Sequence, residues 1–220
     1  MLRLTLLVVL STLCLSAVPV LIYAQEEEFV NLVLNPSFEE DEVILNDPAW
    51  QAWATWGDQD GVNSTVEIDE TEFIDGSRSL RIDPVGAVNW HFIVLNLPMD
   101  VSFGEEYTAS FWVKAAEKRP FAAKFKATDN TVSFGETVFG LTTEWAEYHF
   151  TAESQTNQLK LEFFCAASEA PIWLDFVNVY EGKYVEGILP SEMGGGNQAV
   201  QPAGKLPVRW SEIKSPTETR

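Results

Sequence analysis

Three tryptophans stand three residues apart in the stretch DPAWQAWATWGD, at positions 50, 53 and 56. A tryptophan ring is broad and apolar, so it serves either as a core side chain or as a stacking platform for the apolar face of a ligand such as a sugar. On a helix the three would share a face, whereas on a strand Trp53 would oppose Trp50 and Trp56. The flanking Pro48 and Gly57 favour a loop and a short strand. We expect Trp56 to pack at the end of a core, and for Trp50 both roles stay open.

Side chains of catalytic type do not form a recognisable set. The sequence contains no GxSxG, HExxH, CxxC or phosphate-binding-loop motif. The two histidines, His91 and His149, lie in strand-like stretches without a partnered nucleophile or base. Paired carboxylates can hydrolyse glycosidic bonds, but among 33 acidic residues a pair carries no information. DQDG at 58–61 has part of a calcium loop and lacks the further oxygen ligands of an EF-hand.

The first residues have the composition of a secretory leader. Arg3 precedes an almost unbroken apolar run that ends near Tyr23, and the small Ala24 is followed by a glutamine and three glutamates. This order predicts a signal peptide over residues 1–24 and a secreted protein, with cleavage after Ala24 or, as the second choice, Ala17. The run is also as long as a membrane-spanning helix, which needs about 20 residues, so an uncleaved N-terminal anchor is the alternative.

Cysteine usage and charge narrow the chemistry further. After removal of the leader only Cys165 remains, so no disulfide can form within the chain. This cysteine lies in the apolar stretch LEFFCAA, which predicts a buried, inert thiol rather than a nucleophile. The formal net charge of the chain is −19. Such a charge argues against nucleic acid as a partner, and against an anionic membrane once the leader is gone.

Short β-rich runs separated by turn residues occupy most of the chain. Turn signals such as Asp60-Gly61, Asp75-Gly76, Gly135 and Gly140 separate them. The predicted strands are 29–34, 64–68, 79–83, 88–95, 107–115, 121–127, 146–151, 158–164 and 172–180. Many short strands at even spacing are typical of an all-β fold, an antiparallel sandwich or barrel.

The composition changes after Gly182. Residues 184–220 are predicted to form a flexible linker and a short tail, because SEMGGGNQAVQPAGK combines three consecutive glycines and a proline with no periodicity. The tail carries four apolar and three basic side chains, at Lys205, Leu206, Val208, Arg209, Trp210, Ile213 and Lys214. We expect a detachable signal or a contact with a partner, and docking onto the folded domain is the alternative.

Four stretches between residues 31 and 182 form an ordered set of landmarks. They are NLVLNPSFEE at 31–40, DGSRSLRI at 75–82, FGEEYTASFWVKA at 103–115 and IWLDFVNVYEG at 172–182. Together they resemble the carbohydrate-binding modules of the CenC-like group, families 4, 9 and 22. That resemblance implies an antiparallel jelly-roll β-sandwich of the galactose-binding-domain-like type over residues 29–183, with a polysaccharide or oligosaccharide as its partner.

The stretch NPSFE, residues 35–39, predicts where the first strand ends. Pro36 cannot donate a hydrogen bond to a sheet ladder, so the strand should stop there. Phe38 is then placed to plug the end of the core, and the acids that follow should lie at an edge of the sandwich.

The resemblance also implies one structural calcium ion. In the resembled modules an acid after this phenylalanine and the aspartate of the last strand often bind Ca²⁺, and here those positions are Glu39 and Asp175. Carboxylates with carbonyls from a loop such as 75–79 suit the hard oxygen ligands that calcium takes. The alternative is that Glu39 is solvated and Asp175 bonds to the backbone or to Arg81. The family's second aspartate is replaced here by Phe176.

A ligand-binding face is implied by the same resemblance, because the modules bind glycan in a groove on the non-core face of one sheet. Period-two alternation puts four candidate side chains on the non-core side of their strands. We therefore expect Trp112 to be a stacking platform, His91, Lys114 and Lys124 to be its polar partners, and Trp50 to be a further candidate. The alternative is that a loop covers Trp112 and that the lysine stems only cover apolar surface.

The alternation makes two further predictions. It places Trp90, Phe92 and Val94 together in the core. It also gathers lysines on one face of a strongly acidic protein, where they would attract an anionic sugar such as a uronate.

The leading interpretation is a secreted, non-catalytic module that recognises a polysaccharide, of a type usually associated with glycoside hydrolases. Two alternatives stay open. One is a small glycoside hydrolase or lyase on a jelly-roll, and the other is a structural or adhesive cell-surface module without a sugar ligand.

Overall fold

The computed structural model describes residues 29–40, 52–187 and 193–194, which form thirteen strands and one short 3₁₀ helix, Asn89–His91. The strands are β1 (Phe29–Val30), β2 (Trp53–Gly57), β3 (Thr65–Asp69), β4 (Ser79–Asp83), β5 (Phe92–Asn96), β6 (Met99–Asp100), β7 (Glu106–Ala115), β8 (Arg119–Ala127), β9 (Ser133–Leu141), β10 (Ala146–Glu153), β11 (Gln158–Phe164), β12 (Ile172–Glu181) and β13 (Met193–Gly194). The predicted leader, Trp50 and the C-terminal tail lie outside the described residues. Within those residues, no helix has the length and apolar character needed to cross a membrane.

Two antiparallel sheets make up the domain. The five-stranded sheet has the order β10-β7-β12-β4-β3, and the six-stranded sheet has the order β2-β5-β11-β8-β9 with β6 also paired to β11. The short strand β1 pairs in parallel with β13, which lies inside the segment 184–220 that was predicted to be only linker and tail. The two main sheets confirm the predicted all-β, antiparallel jelly-roll sandwich.

The core between the sheets follows the predicted alternation. On β7 the residues Phe111 and Val113 are fully buried, and on β8 Phe121 is buried with them. The Phe111 ring makes edge contacts with Phe121 at 6.0 Å and Phe163 at 4.9 Å between ring centroids. Such aromatic pairs contribute about 0.5–1.5 kcal/mol beyond the area that they bury.

The NPSFE stretch closes one end of this core. Phe38 is fully buried and its ring lies 5.0 Å from that of Trp53, whose Nε1 donates to the Asn35 carbonyl. Asn35 and Phe38 both have positive φ angles, so the chain turns sharply here. The prediction that Phe38 plugs the core is confirmed.

Residues 31–34 are not part of a strand, which corrects the prediction for 29–34. They run beside β12 instead, where the Leu32 amide donates to the Val179 carbonyl and the Asn31 side chain bonds to the Val179 amide. The asparagine side chain thereby replaces part of a sheet ladder, because its amide group offers the same donor and acceptor as a peptide.

The predicted turns at Gly135 and Gly140 are wrong, since both lie inside β9. The register between β8 and β9 shifts between Ala123 and Phe125, and Gly135 has a φ angle of 67°. A glycine in this left-handed conformation accommodates the extra residue of a β-bulge, so the strand continues through it.

Cys165 is fully buried, as predicted for an inert thiol. Burial raises its pKa to about 12, so the reactive thiolate is disfavoured at neutral pH. The backbone carbonyl of Cys165 accepts a hydrogen bond from the buried guanidinium of Arg119.

Candidate functional site

The predicted sugar-binding residues do not gather on one face. Trp112 and Lys114 belong to β7 in the five-stranded sheet, whereas Lys124 belongs to β8 and His91 directly precedes β5, both in the six-stranded sheet. The expectation of one site formed by these four side chains is therefore wrong. Alternation assigns a residue to one side of its own sheet, but it does not say which sheet the strand joins.

The outer side of the five-stranded sheet has a ring-and-ion network of its own. Lys114 Nζ lies 2.6 Å from a Glu72 carboxylate oxygen and sits over the rings of Trp173, at 5.0 Å, and Trp145, at 5.8 Å. Trp173 Nε1 donates to Asp69 Oδ2 at 2.8 Å. Lys114 thus has an internal ion pair with Glu72, and the two tryptophans pack against its ammonium group.

A second, separate set of apolar side chains lies on the side of the six-stranded sheet that faces away from the core, which we call the outer face. Its members form a buried cluster of their own, apart from the main core: Ala54, Ile93, Leu95, Ala122 and Phe164. Neighbouring residues in these strands, such as Trp53, Phe92 and Phe163, point into the main core. The outer face therefore has an apolar floor.

One row of this floor crosses all five main strands of the sheet. In the strand register Trp56 lies opposite Ile93, which lies opposite Phe164, which lies opposite Ala122 and then Val138. The two end members are exposed, Trp56 by 47%. The prediction that Trp56 packs at the end of the core is thus wrong. Its ring stands at the edge of the apolar row, because β2 is the edge strand.

A buried carboxylate occupies the next row. Glu162 lies between Leu95 and Lys124 in the register and is only 2% exposed. Its Oε1 is 3.2 Å from Lys160 Nζ and 3.7 Å from Lys126 Nζ. Its Oε2 is buried and has no hydrogen-bond partner among the described residues. A buried acceptor without a partner costs about 1–3 kcal/mol of stability, so Glu162 Oε2 is a candidate acceptor for a hydrogen bond from a ligand hydroxyl.

Lys124 lies beside this carboxylate on the same face. Its Nζ sits 4.5 Å above the Phe164 ring and 4.0 Å from a Glu136 oxygen. The lysine stem therefore covers part of the apolar floor, as the alternative for the lysines proposed, while its ammonium group stays close to the surface of the face.

His91 lies where the outer face ends. It directly precedes Phe92 of β5, and Asp58 directly follows Gly57 of β2. Because Trp56 pairs with Ile93, Asp58 and His91 form the next row along these two strands. The outer face thus combines His91 and Lys124 from the predicted set with Trp56, Phe164 and Glu162.

The sequence interpretation did not name Glu162 or Phe164 as site residues, and it assigned Trp56 to the core. A signal for two of them was present, because 158–164 alternates Leu159, Leu161 and Phe163 with polar residues and so places Glu162 and Phe164 on the other side. The pairing of β11 between β5 and β8 that centres them on the outer face is a long-range feature.

The two residues expected to bind calcium hold the same loop. Glu39 accepts hydrogen bonds from the amides of Ser77 and Arg78, and Asp175 accepts them from the amides of Ile74 and Asp75. Burial, with the nearby Asp75 as a smaller cause, raises the pKa of Asp175 to about 8. Both carboxylates thus use backbone partners, as the alternative for Asp175 proposed.

Comparison with known proteins gives one family. Residues 30–169 match the family described as carbohydrate binding domain. No curated protein matches the sequence.

Solved structures share the fold. A CBM4 structure is 20% identical, covers 68% of this chain and 99% of its own, and has a TM-score of 0.56. An arabinose-bound α-L-arabinofuranosidase is 11% identical, with 71% of this chain and 27% of its own covered and a TM-score of 0.52.

Proposed function

This chain belongs to the carbohydrate-binding-domain family through residues 30–169, and we propose that it binds a polysaccharide or oligosaccharide on the outer face of the six-stranded sheet. The observation that carries the choice of face is the buried Glu162 Oε2, which lacks a partner within the described residues. The exposed ring of Trp56 and the Phe164 ring lie on the same face.

The face has the two kinds of group that a sugar requires. The C–H faces of a sugar ring are apolar and stack on aromatic rings, here the exposed ring of Trp56. The hydroxyl groups at the ring edge are donors, and Glu162 Oε2 is an unused acceptor at the centre of the face. Lys124 and Lys160 supply donors beside it.

We further propose that the module is secreted and has no glycosidase activity of its own, so that it serves as a binding partner for separate catalytic domains. The leader-like N-terminus supports secretion. Release of reducing sugar by the purified protein, abolished by substitution of a single carboxylate, would contradict the second part.

The binding proposal is tested with matched tryptophan variants on opposite faces. Trp56→Ala should cost about 1–3 kcal/mol of affinity, the range for aromatic anchors. Glu162→Gln should weaken binding as well, because the amide offers one acceptor fewer. Trp112→Ala, on the five-stranded sheet, is the control and should bind as the wild type does. Affinity is measured by calorimetry after a glycan array has identified the best ligand.

Two outcomes would contradict the proposal. Absence of binding across the array would favour a structural or adhesive module. Loss of binding in Trp112→Ala, with Trp56→Ala unaffected, would place the site on the five-stranded sheet.

We also propose one structural calcium ion at Glu39 and Asp175. Carboxylates are oxygen ligands of the kind that calcium takes, and the charge of a third acid, Asp75, interacts with those of Glu39 and Asp175. Burial and, as a smaller cause, the charge of Glu39 raise the pKa of Asp75. A bound cation would offset the repulsion among the three acids.

The calcium proposal is tested by thermal unfolding. Calcium at a hundred-fold excess over Kd should add about 2.7 kcal/mol to the free energy of unfolding. The melting temperature should therefore be higher with calcium than with chelator. Glu39→Gln should reduce the response, and Glu40→Gln is the matched control. Equal melting temperatures with calcium and with chelator would overturn the proposal.

A further inference from the structure

Three polar side chains meet at the end of the outer face, beyond Trp56. Asp58, Asp60 and His91 each bring one carboxylate oxygen or ring nitrogen within 4.8 Å of the others. Asp58 stands two residues after Trp56, and His91 two residues before Ile93, so the cluster forms the next row along β2 and β5, beyond the apolar row described above. It is therefore reached by any ligand chain that lies along β2 and β5.

The imidazole of His91 is held in one orientation. Its side chain is only 9% exposed, the Ala87 amide donates to its Nδ1 at 3.3 Å, and its carbonyl accepts from the Asp58 amide at 3.2 Å. Two glycines pack closely against it, since a Cβ at Gly61 would lie 1.8 Å from the His91 carbonyl oxygen and one at Gly86 would lie 2.8 Å from its Cβ. The loops on both sides thus lack side chains where they meet the histidine.

This orientation aims Nε2 at a gap between the two carboxylates. Nε2 lies 3.7 Å from Asp60 Oδ2 and 4.0 Å from Asp58 Oδ2, both beyond hydrogen-bond distance. Asp58 Oδ1 is already used, because it accepts from the amides of Asp60 and Gly61. Nε2 and the two Oδ2 atoms therefore do not hydrogen-bond to one another, which leaves them for the polar groups of a ligand.

The tautomer of His91 decides which ligand groups can hydrogen-bond to these three atoms. Because Nδ1 accepts the Ala87 amide proton, the proton of the neutral ring is assigned to Nε2. A metal ion would need a lone pair at Nε2, which this tautomer lacks. The set is thus one donor with two acceptors, and hydroxyl groups satisfy it, because each hydroxyl both accepts and donates. Two neighbouring hydroxyls can donate to both carboxylates, whereas one can donate to only one.

Exposed aromatic rings stand beside the cluster. Trp90 is 47% exposed, contrary to the prediction that it packs in the core, and its ring meets the His91 ring edge-on at 4.6 Å between centroids. Trp56, two residues before Asp58, is equally exposed. An exposed apolar ring next to fixed polar groups is suited to a ring-shaped ligand with one apolar face.

We propose that Asp58, Asp60 and His91, with Trp56 and Trp90, form a subsite for a neutral sugar residue with two adjacent free hydroxyl groups. The subsite rests on the proposed function and extends it past Glu162. Its two carboxylates repel a sugar that carries its own carboxylate. Despite the lysines at the other end of the face, the preferred ligand is therefore neutral at this position.

The test compares neutral and acidic hexasaccharides by calorimetry. The probes are xylohexaose, cellohexaose and β-1,4-galactohexaose, with hexagalacturonate as the acidic counterpart. Wild type should bind its best neutral probe more tightly than hexagalacturonate. Asp60→Asn and Trp90→Ala, both at exposed positions, should each weaken the neutral probe at least about five-fold. Asp60→Asn should also reduce the difference in affinity between the best neutral probe and hexagalacturonate. Glu117→Gln, an exposed acid in the turn between β7 and β8, is the charge-matched control.

The outcomes separate this subsite from the proposed function. If Glu162→Gln weakens binding while Asp60→Asn and Trp90→Ala do not, the gap holds a bridging water only, and the subsite is refuted while the binding face stands. Tighter binding of hexagalacturonate than of every neutral probe also refutes the subsite. Zinc-induced stabilisation that Asp60→Asn abolishes would make the cluster a metal site instead. No binding of any probe by wild type refutes both.

Discussion

Asp69 links three elements through a single carboxylate. It ends β3, and its Oδ1 accepts from the amides of Thr71 and Glu72 and from the Thr71 hydroxyl, while its Oδ2 accepts from Trp173 Nε1. Burial alone would raise the pKa of Asp69, but the hydrogen bonds from Thr71, Trp173 and Glu72 outweigh it and lower the pKa to about 2. The carboxylate form is thus favoured in the folded state.

A pH dependence follows at this residue. Because the pKa of Asp69 in the folded state is below the ordinary aspartate value of 3.8, the contribution of Asp69 to stability is present above about pH 4 and is lost as the pH falls towards 2. Asp69→Asn should therefore be less stable than wild type at pH 5, and the difference should shrink towards pH 2. Urea unfolding at several pH values measures this. A difference that does not change between pH 5 and pH 2 would contradict the assignment.

At the scale of elements, the bulge in β9 depends on one glycine. Gly135 combines a φ angle of 67° with a crowded site, since a Cβ there would lie 2.8 Å from the Ala152 Cβ and 3.0 Å from the Phe150 ring. The bulge brings the end strand of the six-stranded sheet close to β10 of the other sheet, so it helps to close this side of the sandwich.

Gly135→Ala is therefore expected to lower the free energy of unfolding. The left-handed conformation alone costs a non-glycine residue about 1–2 kcal/mol, and the contact with Ala152 adds to this. For a domain of this size the melting temperature should fall by about 2–4 °C per kcal/mol. Gly140→Ala in the same strand is the control, because its Cβ would meet nothing within 4 Å. Equal effects of the two substitutions would show that the bulge does not require glycine.

At the scale of the whole molecule, the two ends of the described chain meet. Phe29 and Val30 pair in parallel with Met193 and Gly194. Only two residues of each strand take part, so this pairing contributes little compared with the long ladders of the main sheets. The domain should therefore stay folded without residues 188–220, the segment that contains β13 and the tail.

Two truncations test this expectation. Removal of residues 195–220 keeps β13 and should leave the melting temperature nearly unchanged. Removal of residues 188–220 also deletes β13 and should lower the melting temperature by no more than a few degrees, because few hydrogen bonds are lost. A large drop on removal of 195–220 alone would show that the tail packs against the sandwich and is not a detachable signal.

The sequence by itself determined the local features of this fold. Strands 79–83 and 158–164 were predicted with the observed bounds, and the buried sides of β7 and β8 followed from alternation. Cys165 and Phe38 were correctly predicted to be buried. These features depend on neighbours in the chain, because the period of side-chain direction and the backbone limits of proline act over a few residues.

The tertiary structure alone decided which side chains share a surface. β7 and β8 are consecutive, yet β7 pairs with β10 and β12 and β8 pairs with β9 and β11, so Trp112 and Lys124 end on opposite sides of the sandwich. Register between distant strands likewise brought Glu162 beside Lys124 and left Trp56 exposed at a sheet edge. Strand pairing depends on the packing of the whole core, and a local pattern of alternation is compatible with many pairings.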